Sequence, residues 1–258
     1  MLTALIALVL LSNSVASAEK ADPSKILRIA YVEFPPITYQ NDAGKPDGTF
    51  IDMTRKVAEE AGYVPEFLYL PVSRAYLYLS NGLIDVWPGV TNIPSIKDDV
   101  LESWSSPSAI HLSAWYREGV TPVNHFDQLK GKTVIVIGGY TYAGLLSWLE
   151  AQDTITVTEA PNHRSALDML KRKRGDYLLD YRQPVEEVLV MPSDSMIRYS
   201  KVRSRNLAWL FSLANPRAAL LRDDFDDAYI RLVERGEAPP VRVMEEGFII
   251  PGFPDAYR

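Results

Sequence analysis

Cysteine is absent from the 258 residues. A thiol nucleophile, a disulfide framework and a cysteine-type zinc site are therefore excluded. Histidine occurs three times, as His111, His125 and His163, with no metal-ligand spacing, and each reads as a surface or partly packed side chain. There is no surplus of positive charge: the formal net charge is −6, so nothing global favours nucleic acid, whose phosphates need a basic surface. Lys171-Arg172-Lys173-Arg174 closes a helical pattern, where cations complement the helix dipole. The nucleophile elbow G-x-S-x-G, the P-loop and the dinucleotide fingerprint G-x-G-x-x-G are all missing. Asp98-Asp99 and the aspartates 223–227 lack the spaced pattern of a calcium loop and read as solvated helix faces.

A long hydrophobic run is missing too. Residues 1–11 are apolar apart from Thr3, well short of the roughly 20 residues that span a bilayer. Ala16-Ser17-Ala18 follows, a cleavage pattern of small residues, and Glu19-Lys20 opens a polar stretch. Residues 1–18 are thus expected to be a signal peptide cleaved after Ala18, although its first residues hold no Lys or Arg; the competing reading is a buried N-terminal helix. No cysteine follows Ala18, so a lipoprotein anchor is excluded.

What the chain does have is alternation of short apolar runs with helical patterns, the mark of an α/β architecture. Strands are predicted over 26–32, 64–70, 84–87, 109–116, 133–137, 154–158, 177–179 and 207–213, with Phe34-Pro35-Pro36 and Pro88-Gly89 stopping the first and third. Helices are predicted over 50–61, from a Ser73 cap to Asn81-Gly82, over 141–151 and 164–173, and from Pro216 to Arg235. The pattern restarts near residue 115, which gives two βαβ-type units. The breaker-rich segment 248–254 reads as an extended tail packed on the first unit.

Two features point to a ligand. Gly138-Gly139-Tyr140-Thr141 lies between a buried strand and a helix, where free backbone N–H groups make an anion site; a plain strand-to-helix turn also favours glycine. Aromatics cluster beside breakers: Phe34, Tyr39, Trp87, Tyr140 and Tyr142. Large rings on loops at strand ends suit the walls of a cleft, and ordinary core packing is the alternative for each.

The ordered set Leu27-Arg28-Ile29, Phe34-Pro35-Pro36, Gly44-Lys45, Gly48-Thr49-Phe50-Ile51-Asp52, Asn81-Gly82-Leu83-Ile84-Asp85, Leu129-Lys130-Gly131-Lys132, Gly139-Tyr140-Thr141 and Gly175-Asp176 with Asp180 resembles the bacterial extracellular solute-binding proteins of family 3, the polar amino-acid-binding type. The resemblance implies an α/β, type II periplasmic binding protein fold: two α/β lobes joined by two crossover strands. Lobe 1 would hold 24–114 and 205–258, lobe 2 115–204. It further implies a periplasmic monomer that closes on a small polar or zwitterionic ligand, an amino acid or a related compound, for an ABC-type importer. No cofactor, no metal, no nucleic acid and no catalysis are expected. A ligand-presenting sensor and a dehydratase-like enzyme on the same fold are the alternatives.

The resemblance assigns Thr91, Thr141 and Asp180 to the ligand, with Asp180 receiving an amino group. A helix cap is the other reading of Asp180. Tyr181 and Arg182 come next and are further candidates, for stacking or a salt bridge. The family's carboxylate-binding arginine is missing: Ile96 stands there, beside Lys97, which offers a point charge and no bidentate fork. Arg74 is the candidate substitute, with a surface arginine as its alternative.

Overall fold

The computed structural model describes residues 22–189, 195–241 and 247–257. The expected signal peptide lies outside the described residues. The strands are β1 (Ile26–Tyr31), β2 (Tyr39–Gln40), β3 (Pro46–Asp47), β4 (Val64–Tyr69), β5 (Val86–Val90), β6 (Val100–Glu102), β7 (Ser108–Arg117), β8 (Thr133–Ile137), β9 (Thr156–Ala160), β10 (Tyr177–Tyr181) and β11 (Ile197–Ser212). The helices are α1 (Thr49–Glu60), α2 (Val72–Ser80), α3 (Leu145–Glu150), α4 (His163–Lys171), α5 (Arg182–Val188) and α6 (Ala218–Glu234). Among the described residues no helix is long and apolar enough to cross a membrane.

One curled sheet runs in the order β4-β1-β5-β11-β7-β10-β8-β9, with β6 added beside β11. Its flanks are two copies of one arrangement. β1 pairs in parallel with both β4 and β5, and β8 pairs in parallel with both β9 and β10. The centre is antiparallel: β11 pairs with β5 and β7, and β7 with β10. The α/β, two-lobed architecture expected from the sequence is therefore the one observed. The carboxyl ends of both parallel flanks feed one cleft, the position where α/β sheets bind ligands.

Local chemistry explains most element bounds. α1 starts at Gly48, whose φ of 118° favours glycine; a Cβ there would overlap the Ile37 carbonyl. α2 starts one residue before the expected Ser73 cap, after Pro71, with no side-chain cap. β5 runs through Pro88-Gly89 instead of stopping there. β1 meets β5 only at Ile29 opposite Val86, so beyond Val86 that edge asks nothing of the missing proline N–H, while the other edge continues along β11.

The largest departure is β11, 16 residues long where an apolar strand over 207–213 was expected. Its first half, Ile197-Arg198-Tyr199-Ser200-Lys201-Val202-Arg203-Ser204-Arg205-Asn206, has too much charge to read as a strand. It is one nonetheless, because it pairs with β7 from Arg117 to Ser108, with an irregularity between Lys201 and Arg203. The tail also departs from expectation. Ile250 N donates to Val202 O, Ser204 N to Phe248 O and Phe126 N to Pro251 O, and Phe253 packs on Phe126. It thus lies on β11 and on the 125–148 region, not on the first unit, because β11 leaves backbone donors and acceptors there for it to pair with.

Asp85 ties the first flank together. Its carboxylate accepts from Arg28 N, Nε and Nη2 and from Asn215 Nδ2. Burial pushes its pKa up, but the Arg28 hydrogen bonds and charge outweigh this and hold it below the usual carboxylate value. A depressed folded-state pKa contributes stability above the unfolded value and loses it as pH falls through the folded value. Asp85→Asn is expected to lower the free energy of unfolding by about 1–3 kcal/mol at pH 7. The gap from wild type should close below about pH 4, as urea denaturation at several pH values would show.

Candidate ligand-binding cleft

Phe34 follows β1 in a turn whose Pro35–Pro36 bond is cis, and Trp87 lies on β5. From the other flank, Tyr140 and Thr141 follow β8, and Tyr181 ends β10. These side chains meet. Phe34 packs edge-on against Tyr181 at 5.0 Å and lies 5.7 Å from Tyr140. They enclose, with Val72, Tyr76, Ile110, Tyr142 and Leu207 among others, a cavity of about 570 Å³ including its mouth.

The wall on the β8 side is built by an unusual turn. Tyr142, Ala143 and Gly144 are all left-handed, with φ of 51°, 55° and 90°. Non-glycine residues in that region are strained, and the strain is tolerated where packing fixes the conformation. Here the Tyr142 hydroxyl accepts the Ile137 N–H at 2.8 Å, and its ring stacks on Tyr181 with 13° between planes. The turn displaces the helix expected from Thr141, so α3 begins only at Leu145. Gly138 N and Tyr140 N donate to Ala160 O and Ile137 O. The expected anion site at a helix N-terminus is therefore not formed: a six-residue helix starts elsewhere, and these two N–H groups have partners.

The cleft is apolar with neutral hydroxyls. Burial, then the charge of Asp180, pushes the phenols of Tyr140 and Tyr142 well above their ordinary value. Burial pushes Tyr76 up to about 12, opposed by its hydrogen bond to Thr141 across the cleft. Trp87 is buried, and its Nε1 has no acceptor among the described residues. A buried N–H without a partner costs about 1–3 kcal/mol, so it calls for an explanation.

Of the residues singled out in the sequence, the cavity gathers Phe34, Trp87, Tyr140, Thr141 and Tyr142. Tyr39 lies on the β2–β3 hairpin beside Asp47. Arg74 is exposed on α2, where Tyr76, two positions on, faces the cavity instead. Thr91 is buried against β11, its carbonyl accepting from Arg205. Arg182 is paired with Glu186 at 2.5 Å and lies over the Tyr199 ring. Ile96 is buried and Lys97 exposed, so the place of the family's arginine holds core instead.

Asp180 is fully buried and does not line the cavity. Its Oδ2 lies 2.7 Å from His163 Nδ1, and its Oδ1 accepts from Tyr181 N. Burial raises its pKa, while the His163 hydrogen bond and charge oppose the rise. His163 is buried as well, and its Nε2 lies 3.2 Å from the Tyr140 hydroxyl. A surface or partly packed histidine was expected; the fold buries it as the middle of a chain from Asp180 to the cleft wall. Glu33, Tyr76 and Tyr181 also line the cavity. Tyr181 was marked for stacking by its place after Asp180, and Glu33 carried a local cue, an acid immediately before the aromatic-Pro-Pro turn.

Behind the wall lie two arginines of β11. Arg203 donates to Tyr257 O at 2.5 Å and Tyr142 O at 3.1 Å, and its guanidinium sits over Phe253. Arg205 donates to Thr91 O, Asn92 O and Tyr257 O. Burial and the neighbouring Arg205 lower the Arg203 pKa to about 10.

Residues 27–119 match the bacterial extracellular solute-binding proteins, family 3. The match supports the resemblance carried by the motifs from Leu27 to Asn92. No curated protein matches the sequence. Solved structures extend the fold likeness over most of the chain. An ancestral arginine-binding protein bound to arginine has a TM-score of 0.65 at 20% identity, covering 83% of this chain and 94% of that one. A substrate-binding protein of an ABC uptake transporter from Streptococcus pneumoniae with bound histidine has a TM-score of 0.64 at 19% identity, covering 83% and 89%. A histidine kinase sensor domain with similarity to periplasmic binding proteins has a TM-score of 0.67 at 18% identity, covering 83% and 92%.

Arg203 is expected to be a structural cation of this wall. Arg203→Leu should lower the unfolding free energy by about 1–3 kcal/mol, because the Tyr142 carbonyl loses its charged donor while the half-buried Tyr257 carbonyl keeps Arg205. Urea denaturation checks this; a loss under about 0.5 kcal/mol would mean that the carbonyls find other donors.

Proposed function

We propose that the chain is an exported solute-binding protein that captures a small molecule between two lobes, 24–114 with 205–258 and 115–204, and releases it to an ABC-type importer. The observation that carries this reading is the aromatic cavity closed by Phe34 of one flank against Tyr140 and Tyr181 of the other. Such a contact breaks and reforms if the flanks move about the β7–β11 pair, which is how hinged binding proteins close on ligand. The family match and the amino-acid-bound relatives support a small amine- or amide-bearing solute.

The wall chemistry narrows the ligand. Neither Arg74 nor Asp180 lines the cavity, so the paired carboxylate and ammonium contacts of a free amino acid have no obvious counterparts here. Rings, hydroxyls and the Trp87 N–H favour a solute with an apolar body and a few polar atoms. The likeness to a kinase sensor domain favours a second reading, in which the closed protein presents its ligand to a membrane receptor.

A metabolite panel followed by thermal shift is expected to find a solute that raises the melting temperature. Phe34→Ala should weaken binding of that solute roughly tenfold, through loss of a ring from the wall. If no solute of a broad panel stabilises the protein, the binding reading falls. Trp87→Phe offers a sharper check. It should leave the ligand-free protein as stable as wild type or more so, since an unpaired buried N–H is removed, yet weaken a ligand that accepts that bond.

A further inference from the structure

The family's acidic residue is present as Asp180, but it is sealed behind His163 and Tyr140. Hydrogen-bond geometry carries its influence outward. Asp180 Oδ2 at 2.7 Å from His163 Nδ1 accepts a proton held on that nitrogen. In the neutral imidazole this leaves Nε2 as an acceptor, and the Tyr140 hydroxyl at 3.2 Å donates to it. The Tyr140 oxygen then has only lone pairs to offer elsewhere. Tyr140 and His163 both line a second opening, which shares Glu33, Val72 and Tyr140 with the cavity and is lined also by Tyr69 and Asn162. Glu33 there accepts from the Tyr69 hydroxyl at 3.3 Å.

Glu33 acts on Tyr140 from this mouth and Asp180 from behind the wall. Arg203 and Arg205 act on Tyr181, where the Asp180 charge opposes them, and Arg205 also acts on Tyr76. Glu33 is the carboxylate that lines the mouth.

We propose that this mouth is a cation-receiving subsite: the Glu33 carboxylate and the Tyr140 oxygen, held as an acceptor by His163 and Asp180, take a protonated amine whose apolar body lies among Phe34, Trp87 and Tyr76. The ligand class is an organic ammonium ion that needs no carboxylate. Asp180 and His163 are positioning residues, because neither is required to touch the ligand. This inference rests on the cleft being a solute-binding site.

The test uses three probes with one ring and different heads: 2-phenylethylammonium, 2-phenylethanol and 3-phenylpropionate, titrated by calorimetry. The wild type should bind the ammonium probe at least roughly tenfold more tightly than the carboxylate. Tyr140→Phe, which keeps the ring, and Glu33→Gln should each remove most of that preference while changing affinity for the alcohol about twofold or less. Nitrogen-15 NMR of His163, assigned with His163→Gln, should show a protonated Nδ1 and an acceptor Nε2 whose shift moves in Tyr140→Phe. A preference for the carboxylate, equal binding of ammonium and carboxylate, or a protonated Nε2 with bare Nδ1 overturns the subsite. If none of the probes binds, the subsite also falls. The solute panel then tells the two failures apart: an anionic or neutral hit insensitive to Tyr140→Phe leaves the binding function standing, and an empty panel removes both.

Discussion

The antiparallel pairing of β7 with β11 is the contact on which the rest of the molecule depends. It joins two parallel flanks of the same 2-1-3 strand order, one from the first third of the chain and one from the middle. Each flank directs the carboxyl ends of its strands at the other. The cleft is a consequence: two α/β layers that share only this central pair must leave a gap between their strand ends, and the loops there supply its walls.

That central strand carries unusual chemistry. Arg203 and Arg205 are buried, and most of the hydrogen bonds described for their side chains go to backbone carbonyls, with Arg203 also bonded to the Tyr181 hydroxyl. A buried guanidinium is tolerable when its donors are filled. The carbonyls belong to Thr91 and Asn92, to Tyr142 in the left-handed turn and to Tyr257 in the tail. One strand thereby fixes the ends of segments far apart in sequence. The same guanidinium charges act on Tyr181, where the Asp180 charge opposes them, and Glu33 stands at the mouth. His163 couples Asp180 to the cleft surface.

Most of the fold was legible in the sequence, because hydrophobic periodicity reports which faces are buried. β1, α1, β4, β8 and β10 fall where apolar patterning places them, and the solute-binding resemblance over the first lobe rests on motifs that set turns, such as Gly48 and Phe34-Pro35-Pro36. The aromatic wall was legible for a related reason: rings beside breakers belong to loops at strand ends. The charged half of β11, the passage of β5 through Pro88 and the late start of α3 were not legible. Each depends on a neighbour distant in sequence that accepts the local exception.

The candidate site divides in the same way. Sequence alone determined that the chain has no thiol, no clustered histidines and no arginine at the family's carboxylate position, and that Phe34, Trp87 and Tyr140 stand where a cleft could use them. Only tertiary structure decided that Arg74 faces solvent, that Asp180 is sealed against His163, and that Glu33 and Tyr76 join the wall. Residue type and spacing fix what a side chain can do. Which way it faces, and which charge lies behind it, is set by packing between segments that the sequence keeps far apart.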